Sequence, residues 1–215
     1  MNIFGHDIAL DSVGQAHVAG VVGGGLWTTA VAYQESHQGN NDGFLAIVST
    51  DGVTLTYATY LGGNDAECNG SPSGCTLALD DGGNVYLAGD TESPNFPTKN
   101  AYDATCGTDG NCDPVGGYRD AFLVKLDPEG NGASDLLYAT FVGHSGEDAA
   151  AGVAVDGAGN AYLAGYTASH DFPTTSGAYM DISTPLEPPT PSTFPQQPMA
   201  MTHPGAAPAM PLWSS

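Results

Sequence analysis

The feature that most constrains this chain is a fifteen-residue stretch that occurs three times. It reads IALDSVGQAHVAGVV at 8–22, LALDDGGNVYLAGDT at 77–91 and VAVDGAGNAYLAGYT at 153–167. Each copy has an apolar run, a polar turn and a second apolar run. The runs are rich in the branched and aromatic residues that suit a pleated, packed surface. The turns hold Asp, Gly and Asn, which bond the nearby backbone or tolerate positive φ. Each copy therefore predicts a β-hairpin. Asp11, Asp80 and Asp156 open the three turns. They lie too far apart for a repeat of single strands. The spacing is that of whole supersecondary units, and it takes precedence over any local assignment.

The segments between copies repeat as well. In the first unit, Leu26–Thr29 and Ala32-Tyr33 lead through a polar loop to a strand at Gly43–Val48 and another at Leu55–Leu61. The second unit runs through Phe96-Pro97-Thr98 and Ala101-Tyr102 to strands at Asp120–Asp127 and Leu136–Val142. The third reaches Phe172–Tyr179 and then changes character. The units are about 8–63, 77–143 and 153–180, and residues 181–215 form a Pro/Ser/Thr/Ala-rich tail. Prolines interrupt sheets, so that tail is expected to be irregular. Runs such as AYLAGY and FLVKL are apolar on both faces. A sheet sandwiched between two others has that pattern. The fold class is therefore all-β: antiparallel four-stranded units, stacked as propeller blades, forming a partial propeller.

Charge removes several function classes. Of 215 residues, 24 are Asp or Glu and 3 are Lys or Arg, a net charge of −21. Nucleic-acid binding draws on Lys and Arg at phosphates, so nucleic acid and anionic membranes are poor partners. No run approaches the ~18 apolar residues of a membrane-spanning helix. The start, MNIFGHDIALD, lacks the basic and apolar regions of a signal peptide and suggests a mature domain or an excised piece. The four cysteines fall in two local pairs within loops, Cys68 with Cys75 and Cys106 with Cys112. An even count in an acidic, Lys-poor chain suggests two disulfides and an oxidising, extracellular or cell-surface setting. Neither spacing is a zinc knuckle.

The combined pattern D-x-x-G-N-x-Y-x-x-G-x-T, then F-P-T and A-Y, then D-A-F-x-x-K-L-D-P-x-G, then L-x-Y-x-T-x-x-G resembles the SBBP family of bacterial β-propeller repeats. In unit two these motifs stand at Asp80–Thr91, Phe96–Tyr102, Asp120–Gly130 and Leu136–Gly143. Unit one departs from the pattern at Gln15, His17 and Trp27, and unit three carries the first half only. The resemblance spans about residues 8–180. It implies a propeller in an exported or surface protein and no catalytic residues.

Candidate chemistry is sparse. Asp109, Asn111 and Asp113 alternate, and Asp120 lies eleven residues after the first, as in a calcium loop. Pro114 stands where an EF-hand wants glycine, so an acidic disulfide-stapled turn is the other reading. Calcium is the one cofactor considered. Asp11, Asp80 and Asp156 read as turn caps. Phe96 and Phe172, with Tyr33, Tyr102 and Tyr179, read as plugs between blades, although an exposed ring could stack on a sugar. His144 lies in GHSGED beside Ser145 and Glu147, but adjacency does not make a triad. Asn69-Gly70-Ser71 is a formal glycosylation sequon. GxSxG, HExxH and phosphate-loop motifs are absent.

The sequence thus points to a non-enzymatic extracellular or cell-surface β-propeller repeat protein, a scaffold or binding module. A self-assembling fibre subunit and a propeller-type polysaccharide-active enzyme are the alternatives. Partners would be itself, another surface protein or a glycan. A propeller closes with four to eight blades, so two and a half imply an oligomer or part of a longer chain.

Overall fold

A computed structural model describes residues 2–69, 74–108, 110, 112, 119–176 and 178. The tail 181–215, Tyr179, most of the sequon and three of the four calcium-loop residues (Asp109, Asn111, Asp113) lie outside the described residues.

The described chain is all-β. Blade one is an antiparallel sheet of β1 (Ile3–Leu10), β2 (Ala16–Val22), β3 (Asp42–Val48) and β4 (Leu55–Leu61), in that spatial order. Blade two repeats it with β5 (Thr76–Leu79), β6 (Val85–Thr91), β7 (Asp120–Leu126) and β8 (Leu136–Val142). Blade three contributes the hairpin β9 (Asp148–Val155) and β10 (Ala161–Thr167). One short 3-10 turn, Gly132–Ser134, precedes β8. None of the described residues form a helix long and apolar enough to cross a membrane.

The repeated hairpins fold alike because their turns are alike. Asp11 Oδ1 accepts the N–H groups of Val13 and Gln15, and Asp156 Oδ1 accepts those of Ala158 and Asn160. Gly14, Gly83 and Gly159 close the three turns, and all of them take positive φ. An L side chain enters that region only under strain, so glycine is the residue that fits.

Two strands begin earlier than their apolar patterns suggest. β1 starts at Ile3 rather than near Ile8, and β9 at Asp148 rather than Val153. Both carry a register shift, between Gly5 and Asp7 in β1 and opposite the Ala164/Gly165 step in β9. A bulge switches the faces on which side chains fall, which hides the alternation that marks a strand.

The sheets stack face to face. β5 touches β1 on one side and β9 on the other, and β6 and β7 also contact β9. Between blades one and two lies the larger core, with Leu45, Leu61, Leu87, Phe122 and Phe141 essentially inaccessible. Phe96 stacks on Phe122 with centroids 4.6 Å apart, so it does plug this gap. Tyr33 packs against the same core, whereas Tyr102 is 63% exposed and plugs nothing. Between blades two and three a smaller core joins Ala88, Leu123 and Val142 to Ala161 and Leu163, with Phe172 against it. Both expected disulfides form, Cys68–Cys75 and Cys106–Cys112, with Cα atoms 5.0 and 5.3 Å apart.

Candidate functional site

The turn aspartates cap backbone, and their remaining oxygens serve neighbours. Asp156 Oδ2 takes the Asn160 amide at 2.8 Å and the Tyr162 hydroxyl at 3.1 Å. The Asn160 bonds hold its carboxyl below the ordinary value, because they favour the charged form. Asp80 is bonded by Asn84 in the same way and is also paired with Lys125 at 3.1 Å. Every one of these oxygens is accounted for by the fold.

A second set of carboxylates stands apart from the turn caps, and of these sequence reasoning singled out Asp120 alone, as a calcium ligand. They lie at the blade junctions, and the two junctions are copies of each other. At the first, Glu67 and Asp42 are fully buried. Thr91 donates its hydroxyl to Glu67 Oε1 at 2.8 Å, and the Gly63 N–H reaches Oε2 at 3.2 Å. Ser93 takes the Asp65 N–H at 2.8 Å. At the second, Asp148 is fully buried and Asp120 nearly so. Ser169 donates to Asp148 Oδ2 at 2.6 Å, the His144 N–H donates at 3.0 Å, and Ser169 takes the Gly146 N–H at 2.8 Å.

Both pairs close over a glycine. A Cβ on Gly62 would lie 2.4 Å from Glu67 Oε2 and 2.7 Å from Asp42 Oδ1. On Gly143 it would lie 2.6 Å from Asp120 Oδ1 and 2.7 Å from Asp148 Oδ2. No side chain fits there, which is why the last strand of each blade is followed by glycine.

Burial sets the protonation of these groups. It pushes Glu67 up to about 8, against the opposing bonds from Ser93, Thr91 and Gly63, and Asp42 adds to the rise. Burial pushes Asp120 up to about 7, against the Gly107 N–H, and Asp148 and Asp103 add to the rise. Asp148 is raised too, by burial first. Raised carboxyls at contact distance are the raw material of acid–base catalysis. Among the described residues these four carboxyls are buried, Asp120 at 2% exposure and the others at 0%. Their evident action is to tie the start of one blade to the end of the hairpin beside it.

Basic residues are absorbed in the same manner. Arg119 reaches Asp90 at 3.1 Å, Glu147 at 3.1 Å and Glu92 at 4.0 Å, across the second junction. Lys125 pairs with Asp80 and lies over the Tyr86 ring at 4.8 Å, and Lys99 donates to the Leu136 carbonyl at 2.5 Å. All three Lys and Arg side chains are thus held by the protein's own groups.

His144, Ser145 and Asp171 do meet. His144 Nδ1 lies 2.7 Å from Asp171 Oδ2 and Ser145 Oγ lies 2.5 Å from Asp171 Oδ1. Histidine and serine bind the same carboxylate side by side, so the imidazole is not interposed to take a serine proton. Of the calcium-loop residues, Asp120 alone is described. Its Oδ2 accepts the Gly107 N–H at 2.8 Å inside the second junction. Among the described residues no group of three or more His, Cys, Asp or Glu is arranged to hold a metal.

The motif that could have revealed the junctions is in the chain. Gly62-Gly63-Asn64-Asp65-Ala66-Glu67 and Gly143-His144-Ser145-Gly146-Glu147-Asp148 align, and Thr-x-Ser follows each at 91–93 and 167–169. Residues 138–173 match the SBBP family, described as a beta-propeller repeat. That match begins in β8, spans the second junction and ends at Phe172-Pro173. No curated protein matches the chain.

Proposed function

From a chain whose residues 138–173 carry an SBBP beta-propeller repeat, we propose a non-enzymatic scaffold or binding module of an extracellular or cell-surface setting. The observation that carries this is the use made of its ionisable groups. Buried carboxylates clasp blades, turn aspartates cap hairpins, and Lys99, Arg119 and Lys125 are spent internally. The surface left for partners is anionic, with Trp27 and Tyr102 as exposed aromatic faces. Such a surface suits a basic protein patch through charge, or a glycan through ring stacking. The two disulfides support an oxidising compartment.

The test is binding without turnover. The protein is titrated against basic proteins and a neutral glycan panel, with salt raised from about 0.05 to about 0.5 M, roughly a threefold contraction of the screening length. Saturable binding with unchanged ligand supports the reading. Hydrolysis of any glycan that is lost in Asp148→Asn overturns it in favour of a propeller-type polysaccharide-active enzyme. Calcium at Asp109, Asn111, Asp113 and Asp120 belongs to the same proposal and is checked by the melting shift on adding calcium or chelator. A self-assembling surface fibre is the second reading, favoured by the uncovered apolar face of blade one.

A further inference from the structure

Each internal interface has two unlike halves. One is a row of alanines on the first two strands of a blade, Ala9 and Ala19 in blade one and Ala78 and Ala88 in blade two. The other is the branched row that meets it. Leu77 and Leu87 of blade two join the first core with Ala9 and Ala19, and Val153 and Leu163 of blade three join the second with Ala88. Alanine leaves a shallow hollow, and a branched side chain fills it, so the sheets approach closely.

The chain keeps one unused copy of each half. On blade one the branched row is Ile8, Leu10 and Val18, repeat-equivalent to Leu77, Leu79 and Leu87. Ile8 is 64% and Leu10 67% exposed, whereas Leu77 is 6% exposed. On blade three the alanine row is Ala154 and Ala164, set across from Tyr162 and Gly152. Ala164 is exposed, whereas Ala19 and Ala88 are fully buried.

We propose that the Ile8/Leu10/Val18 face of blade one docks onto the Ala154/Ala164 face of blade three in a second copy of this protein, repeating between chains the interface it makes twice within itself. The choice of a second copy follows from both halves being present, complementary and, among the described residues, uncovered. A contact between unlike faces is heterologous, so association proceeds to a ring or a filament and does not stop at two. The net charge of −21 opposes it, and salt strengthens it. The proposal rests on the propeller-type reading above.

Sedimentation velocity of the full chain over a range of concentrations, at about 0.15 and about 1 M NaCl, reads the outcome. The expected result is a rising series of species, larger in high salt. Ile8→Asp with Leu10→Asp blocks one face and Ala164→Glu the other. All three positions are exposed, so circular dichroism and melting should stay close to wild type. Each variant alone is expected to weaken association at least about tenfold, the loss for removing one or two buried apolar contacts. Mixed together, the two variants retain one good interface and form a 1:1 dimer. Ile8→Ser with Leu10→Ser serves if the aspartates disturb folding. A folded wild-type monomer at every concentration, a series that ends at a dimer, or variants that fail to complement would each overturn the docking and leave the propeller-type reading standing. A wild-type chain without a β spectrum would sink both.

Discussion

The two blade junctions share a plan and differ in strength. At the first, a glutamate carries the clasp, and its extra methylene lets Glu67 reach both the Thr91 hydroxyl and the Gly63 N–H. The Cys68–Cys75 bridge sits immediately beside it, and Tyr57 donates across the interface to Asp135 at 2.9 Å. Its core holds Phe96, Phe122 and Phe141. At the second, the shorter Asp148 depends on Ser169, and the core is built of Ala88, Ala121, Ala150 and Ala161 with few large residues. Arg119 adds ion pairs there, one to the partly exposed Glu147, whose net contribution is small, and one to the fully buried Asp90. A repeat thus keeps the geometry of its polar clasp while the apolar filling varies, and the filling sets how tightly two blades hold.

The largest expected effect is on that filling. Phe122→Ala removes a fully buried ring stacked on Phe96. It should cost about 3–5 kcal/mol, measured by urea unfolding. Leu163→Ala, in the smaller core, should cost about 2–3 kcal/mol and lower hydrogen-exchange protection in β9 and β10 first. Equal losses would break the ranking of the two junctions.

Next comes the staple. Cys68→Ala with Cys75→Ala opens a closed loop of sequence separation 7. A loop that short confines the unfolded chain least, so the loss should fall at the low end of what a disulfide supplies. It should be smaller than that of Phe122→Ala, appear in blades one and two, and spare the β9–β10 hairpin. Uniform loss of exchange protection would mean that the three sheets unfold as one unit.

The same contrasts separate what is legible in the sequence from what is not. The hairpins are legible because Asp80 and Asp156 sit at fixed distances from Asn, Tyr and Gly, and local turn chemistry fixes local structure. The disulfides are legible because each pair is close in sequence. The bulged starts of β1 and β9 are not, since bulges break alternation at His6 and Ala151. Nor are the clasps. Glu67 and Thr91 are far apart in the chain, and a carboxylate in a Gly-rich loop looks like solvated surface until the partner blade covers it. Tyr102 departs from the expected plug because its equivalence to Tyr33 fixes its place in the repeat but not whether a neighbour lies over it.

The clasps also make stability depend on pH, and differently at each junction. Glu67 has its folded value raised to about 8 from an ordinary 4.5. Its favourable contribution is fully present below the unfolded value and is lost as pH rises through about 8. For Asp120 the same loss runs from 3.8 to about 7. Glu67→Gln should therefore gain on wild type by on the order of 4 kcal/mol near pH 8.5, and gain little near pH 5. The advantage of Asp120→Asn should level off about one pH unit sooner. Melting temperatures from acid to mildly alkaline pH give both curves. Identical curves would mean that the two acids sit in the same environment after all.

The smallest effect concerns one backbone position compared between blades one and two. Val31 has φ of 61° and Asn100 φ of 51°, each ahead of the Ala-Tyr that follows. Both occupy the left-handed region, which asparagine tolerates and a β-branched residue does not. Val31 is 54% exposed, so little apolar burial offsets the strain. Its carbonyl accepts the Gly132 N–H at 2.8 Å, a main-chain bond that any residue could make. Val31→Asn keeps that bond, matches blade two and should raise stability by about 1 kcal/mol, seen as a melting temperature a few degrees higher. A loss instead would show that the Val31 side chain contributes more at this contact between blades one and two than the backbone strain removes.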